Sequence, residues 1–366
     1  MPPRASPGLS RKAAEAKLTL PALGQKGRRL SHLSLADLGW SAQFSDQITA
    51  EDAALRPARL ASLHRDRVQA LTADGPVELI CPPNLSVAAM AVGDWVLADG
   101  PRVARVLARA SLLQRRAAGT GNEAQLIAAN VDTMFVVTSC NADFNEARLE
   151  RYLVLAHAAG ITPVVVLTKA DQADPAPYVA AAQGLSQGMA VVALNAKSGD
   201  VAALAPWCRA GQTVVLLGSS GVGKSTLANS LSGGTLATGA VREDDAKGRH
   251  TTTARYLLPL PQGGWLIDTP GVRELQLTDV ADGIDVLFAD LIDLAADCRF
   301  RDCKHSVEPG CAVQAAIKAG RVDARRLDSW RKLTSEEVTN SQAMVAAKTR
   351  AAGKFTKKSA AKRRPN

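Results

Sequence analysis

Nothing in the chain approaches the roughly 18 consecutive apolar residues that a membrane-spanning helix requires, so no membrane partner is expected. The basic start, MPPRASPGLSRKAAEAKLTLPALGQKGRR, lacks the apolar core and cleavage pattern of a secretory signal, which leaves the cytoplasm as the expected compartment. Six cysteines in 366 residues are too few for a disulfide scaffold, and three of them crowd into 14 residues. No internal repeat is visible. One further absence matters most: the chain holds a phosphate-binding loop ending at Ser225, yet nothing like the guanine-reading pattern Asn-Lys-x-Asp follows it.

Net positive charge is missing from the body and concentrated at the ends. Residues 1–30 carry +6 and residues 348–366 carry +8, so a net charge of +9 leaves −5 for everything between. Both ends are rich in Ala, Ser, Pro, Lys and Arg with few large apolar residues, which predicts disordered basic tails at 1–30 and 346–366. Such arms suit phosphate backbones, or serve only to keep the chain soluble.

Between the tails, hydrophobic periodicity divides the chain. A linker at 31–56 precedes a domain at 57–122, where five short apolar segments with turns predict a small β-barrel, OB-like or SH3-like on this evidence. From 123 to 275, buried strands such as VDTMFVVTS, TPVVVLT and QTVVLLG alternate with helical patterns, which predicts a parallel sheet covered on both faces. Residues 276–345 read as helical around the cysteine cluster.

The segment LLGSSGVGKSTLANSL places Gly218, Ser219, Ser220, Gly221, Val222, Gly223, Lys224, Ser225 and Thr226 between an apolar strand and an amphipathic helix. Glycines let the backbone N–H groups face phosphates, and the helix adds its positive end. Lys224 is expected to bridge the β- and γ-phosphates and Ser225 to ligate Mg²⁺. In DTPG, Asp268 ends a strand and is a second Mg²⁺ candidate, with the Gly271 N–H toward the γ-phosphate. The loop GRHTTTARY between them offers Thr252, or Thr251, as a hydroxyl ligand that lets go after hydrolysis.

The base motif lies upstream instead. In VVVLTKAD, Thr168, Lys169 and Asp171 follow a strand, and the Asp171 carboxylate can accept from the N1–H and N2–H₂ of guanine together. In LNAKSGD, Ala196 and Lys197 follow another strand, where a backbone N–H can meet guanine O6. Base motif, phosphate loop, switch and DTPG then occur in circularly permuted order, which a sheet tolerates because adjacency rather than chain order defines it.

The cluster CRFRDCKHSVEPGC spaces Cys298, Cys303, His305 and Cys311 for tetrahedral Zn²⁺, with no open position for chemistry. Cys81, Cys140 and Cys208 read as packing residues. The barrel carries Arg59, His64, Arg65, Arg67, Arg102, Arg105 and Arg109 but few aromatics, a pattern for phosphate contacts with folded RNA or for a solvated basic face.

With these motifs the chain resembles the ribosome small-subunit-dependent GTPase A family of bacterial circularly permuted GTPases, over roughly residues 55–335. The resemblance implies an N-terminal OB-fold barrel, a central α/β P-loop GTPase domain in circularly permuted order, and a C-terminal mainly helical zinc domain. It implies a monomer that binds GTP and GDP, Mg²⁺, one structural Zn²⁺, the 30S subunit and its 16S rRNA. Late 30S maturation with subunit-stimulated GTP hydrolysis is the implied role. Two rival readings are a nucleotide-gated RNA-binding placeholder and an ATP-using P-loop enzyme. Two positions depart from the family pattern: Thr168 stands where Asn ties the base loop to the phosphate loop, and Asn195 where Ser is common. Val272 occupies the position where many GTPases place a water-orienting Gln, and His250 in GRHTTTA is the family's expected substitute, with the ribosome itself as the other source of that group.

Overall fold

The computed structural model describes residues 33–64, 67–116, 124–234, 255–268 and 280–361, with side chains as far as residue 343. Residues 33–55 include a one-turn helix, α1 (Ala42–Ser45), and form a packed strap in place of the expected linker. Trp40 and Phe44 close on Trp95 with ring centroids 4.8 and 5.9 Å away.

The barrel consists of β1 (Arg56–Leu63), β2 (Arg67–Thr72), β3 (Gly75–Ile80), β4 (Trp95–Asp99) and β5 (Arg102–Val106). It closes in the order β1-β2-β3-β5-β4, with β1 returning to β4 and β3 running parallel to β5. That closure is OB-like and removes the SH3-like alternative. Its interior is small, built on Leu60, Val68, Leu79, Met90 and Val96. A hairpin, β6 (Leu112–Arg116) with β7 (Ala124–Ala129), leads out of it.

The central sheet has six strands: β8 (Thr133–Ser139), β9 (Thr162–Thr168), β10 (Val191–Ala193), β11 (Thr213–Gly218), β12 (Tyr256–Pro259) and β13 (Trp265–Asp268). Their spatial order is β10-β9-β8-β11-β13-β12, and β12 is antiparallel to its neighbour. The chain enters this sheet in its middle, at β8, and the phosphate-loop strand β11 comes fourth. Every residue of β8 and β11 is buried, as strands covered on both faces must be. Helices α2 (Glu146–Ala158), α3 (Ala176–Gln183) and α4 (Lys224–Leu231) follow β8, β9 and β11.

The C-terminal helices are α5 (Ala281–Leu287), α6 (Ala289–Ala296), α7 (Ala312–Lys318) and α8 (Ala324–Ala361). At Gly283 a Cβ would lie 2.2 Å from the Val154 carbonyl, so only glycine lets α5 approach α2 this closely. Helix α8 corrects the expectation of a disordered tail from 346, since its backbone stays helical to Ala361. One apolar cluster runs from Leu38, Phe44 and Trp95 through Met134, Leu153 and Ile267 to Phe288 and Leu327, joining all three regions.

Candidate functional site

Strand β11 delivers the chain to the phosphate loop at Gly218, where a Cβ would stand 2.1 Å from the Val137 carbonyl of the neighbouring strand. Gly221 and Gly223 have φ of 82° and 96°, the left-handed turn that lets Gly223 cap α4. Val222 is buried beneath the loop, and Ser225 stands exposed in the first turn of α4. The Lys224 ammonium donates to the Gly218 and Ser219 carbonyls at 2.8 and 2.5 Å, which keeps its charge at the mouth of the loop.

The base motif is bound to this loop. Thr168, 1% exposed at the end of β9, has Oγ1 2.5 Å from the Val222 carbonyl and 3.1 Å from that of Thr138. A hydroxyl carries one proton, and the shorter contact assigns it to the phosphate loop. Threonine thus makes the tie that its replacement of Asn had placed in question. Lys169 turns the chain with φ 58°, its ammonium 3.8 Å from Asp143, and Asp171 is exposed beyond it.

In the second base loop the Asn195 side chain accepts the Lys197 N–H at 3.0 Å, so that donor is already engaged. Ala196 is buried, and its carbonyl accepts from Ser230 of α4 at 2.7 Å. Asp268 ends β13, which runs beside β11 with Ile267 opposite Val215. Thr168, Lys169, Asp171, Ala196, Lys197, the 218–226 loop and Asp268 therefore gather at the carboxyl ends of parallel strands, where open α/β sheets bind ligands. His250, Thr251, Thr252 and Gly271 lie outside the described residues. A cavity of about 660 Å³ between α2 and α8 is lined by His157, Val286 and Arg321, and no phosphate-loop or base-motif residue borders it.

The four expected metal ligands converge, with their ligand atoms all within 4.8 Å of one another. Cys298 Sγ lies 3.8 Å from Cys311 Sγ, and His305 Nδ1 lies 3.5 and 3.6 Å from those two sulfurs. Sulfurs about 2.3 Å and a nitrogen about 2.0 Å from a tetrahedral zinc would be separated by about 3.8 and 3.5 Å. The spacing fits zinc and is far too long for a disulfide. His305 reaches this position with φ 57°, and Trp330 of α8 lies against its ring at 5.6 Å.

Comparison with known proteins agrees with this geometry. The sequence model of the RsgA GTPase family matches residues 106–278. A relative from Mesorhizobium japonicum named small ribosomal subunit biogenesis GTPase RsgA is 57% identical over 315 residues, covering 84% of this chain and 91% of the relative. The chain belongs to the RsgA GTPase family. A Vibrio vulnificus member, named small ribosomal subunit biogenesis GTPase RsgA 2, is 48% identical over 87% of this chain and 92% of its own length. The crystal structure of YjeQ from Thermotoga maritima superposes with a TM-score of 0.59 at 25% identity, covering 78% of this chain and 99% of that one. YloQ, described as a circularly permuted GTPase, gives 0.56 at 23% identity over 83% and 98% of the two chains.

As an RsgA GTPase the protein hydrolyses GTP, but not all of its barrel arginines belong to a basic face. Arg59 is 1% exposed. Its guanidinium donates to the carbonyls of Leu38 and Asn130 at 2.5 and 3.1 Å and to Thr213 Oγ1 at 2.7 Å, with Gly93 O at 3.4 Å. Arg105 pairs with Asp52, Arg109 with Asp94 and Arg67 with Glu78. Arg102 is exposed, His64 is half-buried, and Arg65 lies outside the described residues. For Arg59 an RNA contact is excluded, because a side chain enclosed on all sides cannot reach a partner.

Composition missed another residue beside the site. Arg148, in the first turn of α2, bonds Ser219 Oγ of the phosphate loop at 2.6 Å. Its signal was positional: Asn145 caps α2 by accepting the Arg148 N–H at 2.9 Å, and a helix leaving the carboxyl end of β8 starts on the ligand side of the sheet.

Proposed function

We propose that this protein is a monomeric cytoplasmic GTPase that binds the small ribosomal subunit and its 16S rRNA, and leaves when GTP is hydrolysed late in subunit maturation. The observation that carries the guanine reading is the Thr168–Val222 bond, which makes base motif and phosphate loop one unit. The subunit assignment draws on the names of its relatives. Asp171 reads the N1–H and N2–H₂ edge of guanine, and backbone donors of the 218–226 loop hold the phosphates. Lys224 moves its charge from the loop carbonyls to the β- and γ-phosphate oxygens. Ser225, Thr252 and Asp268 would hold Mg²⁺, which neutralises developing phosphate charge when bound. His250 orients the attacking water, since Val272 cannot.

Turnover with and without 30S subunits tests this reading. Subunits should raise kcat by at least about tenfold, as partner-completed GTPase sites do, and His250→Ala should keep GTP affinity while losing most of that gain. Asp171→Asn should lose guanine preference. Stimulation of no more than severalfold would overturn the subunit assignment, and full stimulation of His250→Ala would move the catalytic group to the ribosome.

A further inference from the structure

The C-terminal helices and the phosphate loop touch the same few residues of α2. Arg148 bonds the Ser219 hydroxyl, and Ser219 in turn accepts the Lys224 ammonium through its carbonyl. Two residues before Arg148, Glu146 pairs with Arg325 of α8. One turn further on, Glu150 is buried against Ser329, and Arg151 bonds Glu336 at 2.5 Å, both partners on α8. Helix α8 also grips the metal loop: Arg331 donates to the carbonyls of Lys304 and His305 at 2.8 and 2.7 Å. Direct contacts therefore run from the metal loop along α8, across α2, to the residue that anchors the phosphate-binding lysine.

We propose that the first turn of α2 couples the zinc domain to the nucleotide, with Arg148 as the positioning residue. Its guanidinium fixes Ser219, and the Glu146–Arg325 pair fixes the turn that carries Arg148. Displacing α8, as binding a partner through the C-terminal domain would do, slackens Arg148 and with it the loop holding Lys224. A line of contacts does not by itself transmit anything; coupling requires that breaking one end be felt at the other. Phe288, Leu291 and Leu327 hold the same domains together through packing, so losing an exposed ion pair leaves the fold intact.

The test uses the full-length protein without ribosomes and follows release of fluorescently labelled GDP. Arg148→Ala should speed release about tenfold and Arg325→Ala about threefold, although Arg325 lies on α8; the double variant should release no faster than Arg148→Ala alone. Glu146→Gln should match Arg325→Ala, and Arg148→Lys should recover part of the loss. Zinc content is measured on each variant and should stay at one equivalent. Arg325→Ala at the wild-type rate, or a double variant whose effect is the product of the singles, would overturn the coupling. A second arm adds 30S subunits and rests on the subunit-stimulated reading. Arg325→Ala should then show weaker stimulation than wild type, whereas a wild type that is not stimulated defeats that reading and leaves the release rates to judge the coupling.

Discussion

The GTPase sheet is joined to its two flanking domains by opposite means. On the barrel side a single guanidinium, Arg59, is enclosed and shared among the strap, the barrel, the β7–β8 junction and the first residue of β11. Burial pushes its pKa down to about 10, offset by Asp132 and Asp94, so it stays charged at neutral pH. On the zinc side, beside the packing of Phe288, Leu291 and Leu327, the polar contacts are a row of ion pairs: Arg151 and Glu336 are 36% and 30% exposed, Arg325 and Glu146 57% and 24%. Exposed pairs are worth about 0–1 kcal/mol each, whereas stripping a buried charge from its partners costs about 3–5 kcal/mol. Breaking the polar contact of the first joint is therefore costly, whereas the ion pairs of the second are cheap to exchange.

The largest expected effect tests whether the zinc side is a separate unit. Structural zinc supplies on the order of 10 kcal/mol to small metal domains, so Cys303→Ser should lose its equivalent of zinc and melt the C-terminal helices before the sheet. Two transitions by denaturant, against one in wild type, would sharpen the contrast, and retained stoichiometric zinc would break the ligand assignment. Next comes Arg59→Ala, which strands the Leu38 and Asn130 carbonyls and Thr213 Oγ1 without their donor. It should cost about 3–5 kcal/mol in urea unfolding. Arg59→Lys should recover only part, because an ammonium cannot span acceptors on four segments. A loss below about 1 kcal/mol would show that the barrel joint is no firmer than the surface pairs.

Local patterns were readable in the sequence, and contacts between domains were not. Gly218, Gly223 and Lys224 announced their loop because the strand, the turn and the helix that need them are adjacent in sequence. The metal cluster was legible for the same reason. Arg59 was misread because β1 is covered on both sides, by the barrel interior and by the GTPase domain, and only the first cover shows in the strand's own pattern. A clue was present: in RPARLASL, Arg59 alternates with the barrel-interior residues Ala58 and Leu60, but its neighbours on the opposite face, Pro57 and Ala61, are small and apolar rather than polar. The tie made by Thr168 needed the distance to Val222, 54 positions away. Helix α8 outran its expected end because Ala, Lys and Arg favour helical backbone.

The smallest effect concerns Glu150, where the two joints differ in their response to pH. It is 4% exposed on α2, and burial raises its carboxyl pKa above the ordinary 4.5, with repulsion from Glu146 adding to the rise. The Ser329 hydroxyl and the charges of Arg326 and Arg325 oppose that rise. Because the folded value is the higher one, the native protein binds more protons than the unfolded chain between 4.5 and that value. Stability therefore falls as pH rises through the window. Glu150→Gln keeps an acceptor for Ser329 and removes the charged form, so it should be more stable than wild type at neutral pH and gain little or nothing near pH 4. Urea midpoints of the two proteins, measured from pH 4 to 8, should converge in acid and separate above it. Parallel curves would mean that Glu150 does not titrate in that window. Arg59→Ala, by contrast, also removes the charge that opposes the burial-driven rise of the Asp132 carboxyl, so its loss of stability should be smaller in acid, where Asp132 is protonated, and larger as pH rises toward neutral.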